Sequence, residues 1–109
     1  MILLPSWDIY TRKPKNESLS LIKELISGCN CWVLEFKQHE PKKAGAKIEG
    51  TAEKRSRLIE MIKNQGMEVK LNADGGMPLK NNEDDEQWYF MIHFDLDKDA
   101  KLLNLDKKV

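Results

Sequence analysis

Between Gln87 and Leu96 apolar side chains take every second position: Trp88, Phe90, Ile92, Phe94 and Leu96, with Tyr89, Met91, His93 and Asp95 between them. That two-residue period predicts a β-strand with one strongly apolar face, which needs a helical layer or a second sheet over it. Trp7 to Thr11 reads as an earlier strand, led in by Ile2 to Leu4 across the break at Pro5. Leu19, Leu21, Ile22, Leu25 and Ile26 recur at helical spacing, so a helix is predicted from a cap at Asn16 or Ser18 to about Ser27, with Gly28 just past its end. Cys29 to Lys37 returns to alternation, Cys31, Val33 and Glu35 against Trp32, Leu34 and Phe36. This segment is apolar on nearly both sides, the pattern of a central strand covered on both faces. Gln38 to Gly50 reads as a polar loop. Thr51 can cap a second helix to Gln65, with Leu58, Ile59, Met61 and Ile62 inward and Gly66 closing it. Met67, Val69 and Leu71 predict a third strand, and Asp74-Gly75-Gly76 opens a long loop to Glu86. Asp97 can cap a short last helix carrying Leu102, Leu103 and Leu105.

The predicted order is β-α-β-α-β-β-(α): one globular domain, residues 1–109, of the α+β class, a two-layer or α/β sandwich on a mixed sheet of about four strands. The same order resembles the thioredoxin-like fold, but no Cys-x-x-Cys opens the first helix and no proline precedes the third strand, so no activity is carried over. A ferredoxin-like arrangement is the competing topology, with the last two strands as a hairpin beside a split βαβ unit.

The chain has 109 residues, 40% hydrophobic and 33% charged, enough to bury a core without disulfides or a structural metal. Its apolar runs all fall short of the ~20 residues of a membrane helix. Met1 to Leu4 lacks a basic flank and stops at Pro5, so it does not read as a secretory signal, and the cytoplasm is the expected location. Cys29 and Cys31, one residue apart in an extended segment, are poorly placed for a mutual disulfide and read as two small buried thiols.

Lysine plus arginine and aspartate plus glutamate both total 18, so the net charge is zero, but the charges are unevenly spread. From Lys37 to Arg57 there are seven cations against three anions, and from Glu83 to Asp99 seven anions against Lys98 alone. If the first two strands run parallel, the loops leaving them share one edge of the sheet. That would gather Arg12, Lys13, Lys15, Lys42, Lys43 and Lys47 near helix N-termini as a candidate anion site for a phosphate ligand or a nucleic-acid backbone. The spacing is not that of a P-loop. Arg55 falls inside the apolar stripe of the second helix, where it either snorkels outward or anchors an anion or the acidic loop. Glu83, Asp84, Asp85 and Glu86, with neighbouring Trp88 and Tyr89, form a candidate docking surface for a basic protein partner.

Other constellations are weaker. His93, Asp95 and Asp97 alternate on a strand end, and Asp95, Asp97, Asp99 and Asp106 match some positions of a calcium loop, yet Ala100 stands where that loop needs glycine. Cys29, Cys31, His39 and His93 have zinc-ligand chemistry without zinc-site spacing. Glu35/Lys37 and Glu68/Lys70 read as surface pairs on strands. No metal or other cofactor is expected. No Gly-rich nucleophile elbow or cofactor fingerprint occurs. The balance favours a small non-enzymatic binding or regulatory module acting through protein–protein contact, without membrane association and with a homodimer open to it. Nucleic-acid or phosphate-ligand binding through loops 12–15 and 37–47 is the alternative, and a small enzyme of unidentified class the third reading.

Overall fold

The computed structural model describes residues 4–78 and 84–94. Ile2 and Leu3, Glu83, the strand end at Asp95 and Leu96, and the expected helix from Asp97 lie outside them. The elements are β1 (Ser6–Thr11), α1 (Lys15–Gly28), β2 (Trp32–Glu40), β3 (Lys43–Gly50), α2 (Ala52–Asn64), β4 (Glu68–Leu71) and β5 (Glu86–Phe94). They make an α+β fold whose single mixed sheet has the order β2-β3-β5-β1-β4. β1 and β5 are parallel, with Ile9 opposite Ile92, and the other three pairings are antiparallel.

Among the described residues five strands form where about four were expected, because Lys43 to Gly50 is a strand and not a loop. Its pattern is alternating but small: Ala44, Ala46, Ile48 and Gly50 are buried, while Lys43, Lys47 and Glu49 are only partly covered. Next to it, β5 sends Trp88, Phe90, Ile92 and Phe94 into the core, so bulk comes from one strand and room from its neighbour. Ile22 and Ile26 of α1 and Leu58 and Ile62 of α2 close over this side.

The helix ends follow local chemistry. Thr51 caps α2 by accepting the Lys54 amide at 3.2 Å, and Gly66 adopts φ 90° where the chain leaves it. At α1 neither Asn16 nor Ser18 is the cap; Pro14 precedes the first turn, and Ser18 is buried inside it. The Ser18 hydroxyl lies 3.0 Å from Thr11 Oγ1 and donates to the Lys13 carbonyl at 3.2 Å, which ties the β1–α1 loop to the helix. The left-handed residue after α1 is Asn30, with φ 60°, and not Gly28.

Cys29 and Cys31 are both buried and unbridged. Burial, reinforced by the neighbouring Cys29, pushes the Cys31 thiol from 9.0 up to about 11. The folded state therefore holds this proton more tightly than the unfolded chain does. The stabilising contribution is complete below about pH 9 and is lost as pH rises toward about 11. Denaturant titrations of wild type and Cys31→Ala should show a shallower loss of stability over that window in the variant. Equal slopes would mean that Cys31 titrates as an open thiol.

Candidate binding surface

β2 occupies an outer edge of the sheet, contrary to the central position that its two-sided apolarity predicts. Among the described residues it pairs with β3 alone. Trp32 is 68% exposed, and Val33 and Leu34 are exposed beside it. A bulge at Leu34, between the Val33 and Glu35 pairings, puts two apolar residues opposite the single Ile48. A regular run, Glu35 to Gln38, follows before the next register shift. Phe36 and Gln38 lie opposite the buried Ala46 and Ala44, so this run's helix-side positions are Phe36 and Gln38. Glu35 and Lys37 take the other face, paired at 3.1 Å, with their side chains 43% and 65% exposed.

Both described helices pack on one side of the sheet, and among the described residues no helix lies on the second face, called the open face below. Register places Lys37, Gly45, Met91, Asp8 and Lys70 in one row across it, and Glu35, Lys47, Tyr89 and Ser6 in the next. A shallow depression of about 310 Å³ lies between these rows, lined by Glu35, Lys37, Gly45, Lys47, Tyr89 and Met91. Nearer the β1–β4 side, His93 Nε2 sits 3.0 Å from Asp8 Oδ1. Asn72 Nδ2 donates to the other oxygen of that carboxylate at 3.2 Å, and the Tyr10 ring stacks on the imidazole at 4.6 Å. A carboxylate so placed orients an imidazole; here it also ties β1 to β5 on the face that neither described helix covers. No group of three or more histidine, cysteine, aspartate or glutamate side chains suited to a metal forms among the described residues. No helix among them is long and apolar enough to cross a membrane.

The residues singled out by sequence are dispersed. β1 and β2 run in the same direction, so Arg12, Lys13 and Lys15 do share an edge with Lys42 and Lys43 at the β2–β3 turn. A hollow of about 400 Å³ opens there beside Arg12 and Lys13. Lys15 lies over the Phe94 ring, and Lys43 is opposite His93. Lys47 is not in a loop at all; it is mid-strand on the open face, opposite Tyr89. Arg55 does not snorkel: it is buried, with its guanidinium on the Glu86 carboxylate and between the rings of Trp7 and Trp88. Asp84 and Asp85 are exposed, whereas Glu86 turns inward to Arg55. Trp88 is wholly buried under the helices and offers nothing to a partner, while Tyr89, on the opposite face, is 37% exposed.

Sequence reasoning missed Trp32, Val33 and Leu34 as surface residues. The signal was present in the double-sided apolarity of their segment, which reads equally as a covered strand or as one awaiting cover. The Asp8–His93 contact left no local trace, its partners being 85 positions apart. Comparison with known proteins finds no matching family model, no similar curated protein and no similar solved structure.

Proposed function

We propose that this chain is a non-enzymatic protein-binding module that works through the outer strand β2 and the open face beside it. One observation carries the reading: three consecutive apolar residues, Trp32, Val33 and Leu34, stand exposed at the edge of a sheet. Folded domains normally blunt such edges, because unpaired backbone groups next to apolar side chains template association. Strand addition to a sheet edge uses this chemistry, with main-chain hydrogen bonds for affinity and side-chain positions for specificity. The docking surface thus moves from the acidic segment, where Glu86 serves the fold and Trp88 the core, to β2.

Tagged wild type and a Trp32→Ser/Leu34→Lys variant, each captured from the native cell with and without nuclease, test this. The expected result is a stoichiometric protein partner that survives nuclease and is lost with the variant. Capture unaffected by the variant, or abolished by nuclease, would remove the reading and turn attention to the basic edge at Arg12 and Lys42.

A further inference from the structure

We infer that the occupant of the β2 edge is a second copy of this chain, paired antiparallel about Phe36; this rests on the protein-binding reading above and names its partner. A two-fold axis perpendicular to a continuous sheet must map each residue onto one on the same face. The self-paired strand is then centred on a residue, not between two. Bulge and register shift confine the regular part of β2 to Glu35 through Gln38, so few centres are available. Centring on Glu35 sets that carboxylate against its own copy, centring on Lys37 does the same with two ammonium groups, and centring on Gln38 runs half of the ladder past the Gln38/Glu40 register shift. Like charges directly opposite across a ladder are unfavourable.

Centring on Phe36 instead pairs Glu35 with the second copy's Lys37 and Lys37 with its Glu35, both on the open face where these side chains already lie. Phe36 then meets its own copy on the helix side. The arrangement is self-complementary in charge, it satisfies the outer backbone of β2, and it continues the sheet from five strands to ten (twice the observed five).

Sedimentation velocity over a concentration series is the test, against a monomer of 12.7 kDa. Wild type is expected to reach twice that mass. Glu35→Lys alone and Lys37→Glu alone each place like charges opposite one another twice, and should each raise the dissociation constant by roughly ten-fold or more. An equimolar mixture of the two variants should recover association as a heterodimer, because every cross-strand pair is then of opposite sign. The double variant Glu35→Lys/Lys37→Glu should recover it as a homodimer. Both positions are exposed, and circular dichroism will report whether each variant keeps the fold. A wild type that stays monomeric at every concentration overturns self-pairing. So does a dimer indifferent to both single variants, or one that the mixture fails to restore. If the chain is monomeric yet Trp32→Ser/Leu34→Lys still releases a captured protein, self-pairing falls while the protein-binding reading stands.

Discussion

Arg55→Ala is expected to destabilise the fold by about 3–5 kcal/mol, the cost of removing one partner of a buried ion pair. The side chains of Arg55 and Glu86 are 5% and 9% exposed, so removing the guanidinium takes a charged hydrogen-bond partner from a carboxylate that water scarcely reaches. The same change empties the space between Trp7 and Trp88, whose rings lie 4.9 and 5.3 Å from the guanidinium carbon. The pair itself need not be strongly stabilising, since desolvating both ions offsets much of their attraction. Arg55→Met with Glu86→Leu should accordingly recover most of the loss. Urea denaturation of the two variants separates the cases: a single variant within about 1 kcal/mol of wild type would contradict the burial of this pair.

Trp88→Ala is expected to cost a comparable ~3–5 kcal/mol by opening a cavity under both helices. The indole is fully buried, edge-on to Phe90 at 6.2 Å, and a Cβ on Gly50 would lie 3.2 Å from its Cη2. That close approach shows how little the surroundings can collapse. Trp88→Phe should be much milder. The Trp88 Nε1–H is buried with no hydrogen-bond partner among the described residues, and such a donor carries a penalty of about 1–3 kcal/mol that phenylalanine does not. Thermal unfolding of the two variants checks the contrast, and equal losses would show that the indole's polar edge, and not its volume, holds the site together.

Legibility in the sequence tracked the range of the interaction. α1, α2 and β5 could be read from periodicity because each buries a face built from its own neighbours, and Thr51 and Gly66 work through bonds only a few residues long. β3 was hidden because KAGAKIEG alternates small and charged residues, not large and charged ones; its alanines make sense only beside the aromatic side chains of β5. Arg55 announced itself by breaking its stripe, but Glu86 is 31 positions away and could not be singled out from four consecutive acids. β2 misled in the most useful way. Its composition fits burial on both faces, and the fold instead leaves Trp32 exposed at the edge of the sheet.

β5, the last described strand, lies in the middle of the sheet, with β1 and β4 on one side and β3 and β2 on the other. During synthesis the chain can therefore form two separate pieces, the β2–β3 hairpin and β1 with its helix, but no strand pairing links β1 to that hairpin until Glu86 to Phe94 has been made. Every nascent chain passes through an interval in which β1 and β3 each present a raw edge of their own. Closure then depends on contacts spanning most of the sequence, such as Ile9 with Ile92, which form slowly for reasons of loop entropy. The order in which the strands are made thus exposes this protein to mispairing longest at the centre of its finished sheet.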